Sequence, residues 1–262
     1  MSRYGAMFDR LGGEGAFGAF LMLGDPNLET SAALLEAVVK GGADMIEVGI
    51  PFSDPVADGP TIQAAARRAL DSGVRVADCF DLIAGLRSHH PGVPIGILTY
   101  ANIVVARSGF MGDAAEAGAD SLLIADVPSI EAQPFANAMQ QVGLEPVLIA
   151  AANTPDAALE RIARLSKAYT YCVSRAGITG IHAAGQFDSQ LIQRLETADA
   201  SPPVFGFGIS KPEHVRAALS TGAKGVICGS AIVERAALGE DVTELIRLLK
   251  GATRERVVPA MN

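Results

Sequence analysis

The sequence contains few cysteines and no long apolar run. Its three cysteines, Cys79, Cys172 and Cys228, lie far apart and form no C-x-x-C pair, so neither a disulfide framework nor a zinc cluster is indicated. The absence of about 18 consecutive apolar residues argues against a membrane-spanning helix. The first residues also lack the apolar run and cleavage site of a signal peptide. We therefore expect a cytoplasmic protein.

Several functional signatures are missing as well. The net charge is −8 and lysine and arginine form no cluster, which argues against a nucleic-acid partner. Leu23-Gly24-Asp25-Pro26 follows the first predicted strand where a dinucleotide site would have G-x-G-x-x-G. The four histidines lack ligand spacing, and the lysines fall on predicted helices or at the opposite end of the barrel from the expected active site. Metal-assisted and Schiff-base chemistry are therefore not expected.

Short β-branched segments alternate along the chain with longer segments rich in alanine and leucine, a pattern typical of βαβ units. The predicted strands are Ala16 to Met22, Asp44 to Val48, Val93 to Leu98, Ser121 to Ala125, Glu145 to Ile149, Ala168 to Val173, Pro203 to Phe207 and Gly225 to Cys228. Eight successive βα units predict a single (β/α)8 TIM barrel over residues 1–262. A doubly wound open sheet is the alternative, because a parallel pattern alone does not establish closure.

Helix boundaries are marked by characteristic residues. Three similar junctions, starting at Gly41, Ala117 and Thr221, place glycine where a helix should stop before a buried strand. Thr30 or Ser31 is predicted to cap the start of the helix after the first strand. A short helix from about Arg3 to Leu11 is predicted to cap the bottom of the barrel, with a frayed terminus as the alternative.

Glu47 lies in an apolar strand end, Met45 to Gly49, on the opposite strand face from Ile46 and Val48. Ionising an inward carboxyl in such surroundings is costly, so we expect a raised pKa. That property suits a group that both donates and accepts a proton near neutral pH. The alternative is a structural glutamate paired with arginine or backbone amides.

Asp58 follows in a loop from Pro51 to Pro60 that contains three prolines. Proline restricts the backbone, so we expect a loop of defined shape that could present a carboxylate. Asp54 or Asp58 could instead be an ordinary turn or N-cap residue before the next helix.

Glycine-containing turns occur near the last predicted strands. They are Ser174 to Gly180, Gly206 to Ser210 and Cys228 to Ile232. Loops in this part of a TIM barrel often bind phosphate through unhindered backbone N–H groups and the start of a short helix. The set therefore favours a phosphorylated substrate.

The segment from Glu47 to Pro60 resembles the signature of the tryptophan synthase alpha family. Further similarity extends over nearly the whole chain and covers Leu23 to Pro26, Tyr100 to Asn102, Ala125 to Pro128, Tyr169 to Tyr171, Ser174 to Gly180, Gly206 to Ser210 and Gly229 to Val233. The resemblance implies a lyase of tryptophan biosynthesis. Its reaction is the retro-aldol cleavage of indole-3-glycerol phosphate to indole and D-glyceraldehyde 3-phosphate.

Site roles follow from the same resemblance. Glu47 would shuttle protons, and Asp58 would accept a hydrogen bond from the indole N–H. The resemblance places Phe20, Leu98 and Thr99 in the wall of the indole pocket, Tyr171 close to the substrate, Thr179 on a mobile loop, and the phosphate on Gly180, Gly208, Gly229 and Ser230. No cofactor or metal is required by this scheme.

The family works with a beta subunit that holds pyridoxal phosphate and receives indole through an interior tunnel. The resemblance implies an α2β2 heterotetramer whose interface includes Pro51, Asp54, Pro55 and Asn102. A stand-alone lyase that releases free indole is the close alternative, and a non-catalytic scaffold or another phosphate-binding barrel is a more distant one.

The sequence departs from the family pattern at a few positions. Ala19 stands where proline is common, Thr99 where a larger apolar residue is common, and Ala151-Ala152-Asn153 replaces a proline-containing stretch. Residues His182 to Asp188 match poorly. These departures affect pocket packing and the mobile loop, while both carboxylates and the phosphate glycines are retained.

Overall fold

The computed structural model describes residues 1–173 and 187–254, and in them eight parallel strands form a closed barrel. Each strand pairs with the next along the chain, and the last strand pairs with the first. The strands are β1 Ala16–Met22, β2 Met45–Gly49, β3 Ile95–Thr99, β4 Ser121–Ile124, β5 Glu145–Ala151, β6 Thr170–Val173, β7 Pro203–Phe205 and β8 Gly225–Cys228.

One helix precedes the first strand, and the others surround the barrel. In the described ranges they are α1 Arg3–Leu11, α2 Leu28–Gly41, α3 Pro60–Asp71, α4 Val76–His89, α5 Ala101–Ala106, α6 Phe110–Glu116, α7 Ala132–Gln141, α8 Asp156–Leu165, α9 Ser189–Thr197, α10 Pro212–Ser220, α11 Ser230–Ala237 and α12 Val242–Ala252. Within this part of the chain, no helix combines the length and apolar character needed to cross a membrane.

The predicted TIM barrel is confirmed, and the open-sheet alternative is wrong. Ala16 of β1 lies opposite Gly225 of β8, so the sheet has no free edge there. The bounds of β1 and β8 are those predicted, and the other strands differ by at most two residues at either end. That the barrel is the only domain of the chain stays a prediction.

The three predicted helix stops are confirmed. Gly42, Gly118 and Gly222 have φ angles of 98°, 98° and 100°, in the left-handed region that glycine adopts without steric cost. The predicted start of the helix after β1 is wrong. α2 begins at Leu28, because the Asn27 side chain accepts the backbone N–H of Thr30 at 2.9 Å.

Alternation along each strand divides the core into two layers. Residues such as Ile46 and Val48 of β2 pack outward against the helices. Phe20, Leu123 and Tyr171 belong to a second cluster inside the barrel. The side chains that could meet a substrate therefore come from the inner face of the strands.

Helix α1 closes the amino-terminal end of the barrel, as predicted. The Tyr4 hydroxyl lies 2.9 Å from the hydroxyl of Ser121, the first residue of β4, and its ring centroid is 5.5 Å from that of Tyr169. Arg3 and Arg87 bind the two carboxylate oxygens of Asp120 at 2.7 and 2.6 Å. These contacts hold the helix over the bottom of the inner cluster.

A buried ion pair joins α12 to the same side of the barrel. Lys250 of α12 donates to Asp44 at 2.6 Å, and both side chains are less than a tenth exposed. Asp44 also accepts the backbone N–H of Phe17 at 2.9 Å. The last described helix is thereby fixed to β1 and to the start of β2.

Candidate active site

Glu47 projects from β2 into the barrel and is 2% exposed. In the strand register it lies between Phe20 of β1 and Gly96 of β3. The Tyr169 hydroxyl donates to Oε1 of Glu47 at 2.7 Å, and Oε2 has no hydrogen-bond partner among the described residues. Its contact in this part of the chain is thus a neutral phenol, not the arginine of a structural ion pair.

Burial raises the pKa of Glu47 to about 7. Desolvation of the charged form is the largest cause; the hydrogen bond from Tyr169 opposes it, and the nearby charge of Asp58 adds to it. A carboxyl with this pKa exists both as acid and as carboxylate near neutral pH. Glu47 can therefore give a proton to one atom and take one from another.

Asp58 lies in the loop between β2 and α3 and is held in place by Tyr100. Tyr100 donates its hydroxyl hydrogen to Oδ2 of Asp58 at 2.8 Å, and the Ala57 N–H donates to the Tyr100 oxygen at 3.2 Å. Burial raises the pKa of Asp58, while the hydrogen bond from Tyr100 lowers it. The N-cap alternative is wrong, because Gly59 caps α3 without a side-chain hydrogen bond.

The two carboxyls have different surroundings that suit different tasks. Glu47 lies on a strand in the apolar interior, whereas Asp58 lies on a loop at the carboxyl-terminal end of the barrel. The charge of Asp58 raises the pKa of Glu47, so the two groups are electrostatically linked. Separate environments of this kind allow one carboxyl to exchange protons and the other to stabilise positive charge.

Aromatic and aliphatic side chains of the inner face line the space near Glu47. Phe20, Leu98 and Tyr171 all belong to the inner cluster, as their predicted role requires. Tyr171 donates to the carbonyl of Gly206 at 3.1 Å, and its ring is perpendicular to that of Phe207. A Cβ on Gly206 would lie 1.9 Å from Cζ of Tyr171, so only glycine leaves room for this ring position.

Thr99 does not fit its predicted place in the pocket wall. Successive residues of a strand point to opposite faces, so Thr99 shares the face of Ile95 and Ile97, which pack outward against the helices. The side chain of Thr99 is fully buried there. Leu98 alone of this pair can face the barrel interior.

The predicted phosphate-site residues that the structure describes lie on adjacent strand ends. Gly208 follows β7 and has a φ of 76°, and Gly229 follows β8 and precedes α11, which begins at Ser230. Because β7 and β8 are neighbours, their loops share one part of the barrel rim. Thr179 and Gly180 lie outside the described residues.

The predicted interface residues lie on the same end of the barrel but differ in exposure. Asp54 and Asn102 are exposed, Pro55 is half-buried, and Pro51 is buried. Three exposed apolar side chains lie in the segments after β2, β3 and β4: Val56 at 71%, Val105 at 65% and Ile130 at 70%. This end of the molecule therefore combines the carboxylates with exposed apolar side chains.

Two tyrosines that contact the carboxyls were not assigned roles from the sequence. Tyr169 lies two residues before Tyr171 on the inner strand face, and Tyr100 lies two residues after Leu98. Period-two spacing from predicted site residues is the signal that could have found them. Among the described residues, no group of three or more His, Cys, Asp or Glu side chains could hold a metal ion.

Comparisons with known proteins agree with this geometry. Residues 9–255 match the family model described as tryptophan synthase alpha chain. The tryptophan synthase alpha chain of Cronobacter sakazakii is 45% identical over 97% of this chain and 99% of its own length. That of Serratia proteamaculans is 48% identical over 89% of both chains.

A solved structure of Mycobacterium tuberculosis tryptophan synthase is also similar. It superposes with a TM-score of 0.88 at 31% sequence identity and covers 97% of this chain and 99% of its own. The match over most of the chain, in sequence and in structure, shows that the protein belongs to the tryptophan synthase alpha chain family.

Proposed function

We propose that Glu47 and Asp58 cleave indole-3-glycerol phosphate to indole and D-glyceraldehyde 3-phosphate. The observation that carries this proposal is the pair of interacting carboxyls with different environments at the carboxyl-terminal end of the barrel. This reaction needs a proton donor and acceptor at one carbon and a stabilised positive charge at the ring nitrogen. The two groups are suited to those tasks.

The cleavage begins with protonation of the substrate. Glu47, as the carboxylic acid, gives its proton to C3 of the indole ring, and the ring nitrogen becomes a positively charged iminium. The Asp58 carboxylate accepts a hydrogen bond from that N–H and stabilises the charge. Glu47 is now a carboxylate whose pKa, near 7, makes it a competent base.

The second step breaks the carbon–carbon bond. The Glu47 carboxylate takes the proton from the adjacent glycerol hydroxyl, whose carbon becomes the aldehyde of glyceraldehyde 3-phosphate. The bonding electrons return to the ring and neutralise the iminium, which gives indole. Glu47 is protonated again, so the cycle requires no cofactor in this chain.

Separate groups of residues would bind the indole ring and the phosphate of the substrate. Phe20, Leu98 and Tyr171 provide an apolar wall for the indole ring. The N–H groups after Gly208 and Gly229, with Ser230 at the start of α11, suit the phosphate. From the family resemblance, Gly180 would add to the phosphate site and Thr179 to a loop that closes over the substrate.

We further propose a beta subunit as partner in a heterotetramer of two alpha and two beta chains. The relatives are named alpha chains. Exposed Val56 lies in the same loop as Pro51, Asp54 and Pro55, and exposed Val105 lies in α5 with Asn102. The partner would carry pyridoxal phosphate and receive indole directly. We place the complex in the cytoplasm, where the free thiols of Cys79, Cys172 and Cys228 would stay reduced.

The test measures indole release from indole-3-glycerol phosphate by the purified chain. Glu47→Gln and Asp58→Asn should each lower turnover by about 10² to 10⁴-fold, since a lost proton-transfer or charge-stabilising group costs that much. Glu116→Gln and Asp81→Asn make the same chemical changes at exposed helix positions and serve as matched controls. Turnover within a few-fold of the parent in either site variant contradicts the role of that residue.

The same assay, repeated with a tryptophan synthase beta subunit, tests the partner. Slow release that rises sharply on addition of the beta subunit is expected. Fast release by the chain alone would favour the stand-alone lyase instead. Absence of release under both conditions would contradict the proposed substrate.

A further inference from the structure

A cavity of about 540 Å³ lies beside the barrel, between β4 and β5 and the helices α7 and α8. Its helix side is formed by Phe135 and Met139 of α7 and Ile162 of α8. Its sheet side includes Ala125 and Ile149, which also belong to the inner cluster of the barrel. Neither Glu47 nor Asp58 is among the described residues that line this space.

Strands β4 and β5 separate where the cavity meets the sheet. The pairing of β4 with β5 ends at Leu123 and Val147, although β5 continues to Ala151. The chain after β4 stays with β3, because the Ala125 N–H donates to the carbonyl of Thr99 at 2.8 Å. The upper half of β5 is held by β6. A gap therefore opens between β4 and β5 at the carboxyl-terminal end.

The gap connects the two core layers. Val147 and Ile149 of β5 belong to the inner cluster, whereas Leu148 packs against helix residues, and all three line the cavity. A cavity bounded by both faces of one strand reaches across the sheet layer. A molecule in it would lie against Ile149, next to the barrel interior.

The cavity wall is mainly apolar and carries one carboxylate. Asp126 is a solvent-exposed residue of this lining, and its Oδ1 accepts the Ala101 N–H at 2.8 Å. A carboxylate has about four acceptor sites, so one hydrogen bond leaves it able to accept another. An apolar cavity of about 150 Å³ already admits benzene, and ligand pockets typically measure about 300 to 1,000 Å³. The cavity thus has room for a bicyclic aromatic molecule.

We propose that this cavity is a second binding site for a neutral, planar, apolar molecule with a single N–H donor, the chemical class of indole. The ring would lie among Phe135, Met139 and Ile162, and the N–H would bind Asp126. That indole is produced next to it rests on the proposed function. Binding itself does not depend on the cleavage reaction and is measured separately.

The experiment titrates indole into the full chain and follows side-chain methyl signals by NMR. The methyls of Met139 and Ile162 should shift with saturable binding, along a curve separate from that of Leu98 inside the barrel. 1-Methylindole, which lacks the N–H, should bind the cavity about tenfold more weakly through loss of a hydrogen bond to a charged group. Equal affinity for the two molecules would overturn the assignment to Asp126.

Variants distinguish the cavity from the active site. Ala136 is buried and lines the cavity, so Ala136→Leu should fill it and weaken indole binding there by at least about tenfold, with cleavage retained. Ala138→Leu makes the same change on α7 away from the cavity lining and is the matched control.

The titration of the parent chain decides the proposal even if Ala136→Leu does not fold. Unmoved Met139 and Ile162 methyls at indole concentrations that saturate Leu98 would overturn it. If the parent chain does not cleave indole-3-glycerol phosphate, the proposed function is contradicted. The methyl shifts still decide whether the cavity binds indole.

Discussion

Replacing Glu47 with glutamine removes one ionisable group from the barrel interior while keeping the shape of the side chain. The pKa of this carboxyl is raised from 4.5 to about 7 in the folded chain, mainly because burial disfavours the charge. At pH values between these two, the unfolded chain loses the proton and the folded chain keeps it. Folding stability must therefore fall as pH rises through this window.

The size of the effect follows from the shift. Each unit of pKa difference corresponds to about 1.4 kcal/mol, so the carboxyl should cost the folded chain roughly 3 kcal/mol by about pH 8. Below the unfolded pKa the group is protonated in both states and contributes no such difference. Glu47→Gln should therefore gain stability relative to the parent as pH rises, with the gain complete above about pH 7.

Urea denaturation followed by circular dichroism, from about pH 5 to about pH 8.5, measures this gain. Only the change of the parent–variant difference with pH is diagnostic, since a constant offset reflects the altered hydrogen bond to Tyr169. Tyr169→Phe removes the contact that lowers the folded-state pKa of Glu47, so it should extend the upper end of the window to higher pH. A parent–variant difference that stays constant over the whole range would refute a raised pKa at Glu47.

Three further changes test other parts of the structure. Gly206→Ala should displace the Tyr171 ring, lower the free energy of unfolding by about 1 to 3 kcal/mol and reduce cleavage. An unchanged melting temperature would contradict the close contact. Gly229→Asp should raise KM far more than it lowers kcat, because a carboxylate repels the substrate phosphate, and an unaltered KM would move the phosphate site elsewhere. Lys250→Met should destabilise the chain by at most about 3 to 5 kcal/mol in urea titrations, because the buried Asp44 carboxylate keeps only Arg10, at 3.5 Å, as a cation partner. Asp44→Asn in the same chain should restore part of this loss.

Local patterns predicted much of the fold. The helix ends at Gly42, Gly118 and Gly222 depend on the conformation of single glycines, so the local sequence is sufficient to predict them. The start of α2 was misplaced because Asn27 competes with Thr30 and Ser31 for the capping position. Ser31 instead accepts the backbone N–H of Gly24 at 2.9 Å, a contact between turn and helix that the residue types alone do not reveal.

The two carboxyls of the candidate site could be predicted from the sequence, whereas the tyrosines that donate hydrogen bonds to them were not identified. Glu47 and Asp58 stand in a distinctive segment, whereas the tyrosine bound to Glu47 is 122 residues away in the chain. Thr99 illustrates a conflict between two kinds of argument. Family resemblance placed it beside Leu98 in the pocket wall, but strand alternation does not let adjacent residues face the same side.

The cap formed by α1 also bears on the order in which the barrel is completed during synthesis. Tyr4 and its partner Ser121 are 117 residues apart, and a ribosome that adds about 5 to 20 residues per second needs roughly 6 to 23 seconds to deliver the second after the first. The apolar face of α1, with Tyr4, Met7 and Leu11, is exposed to solvent or to chaperones during that interval. Helix α1 therefore cannot take its final place until the chain has been made at least as far as Ser121.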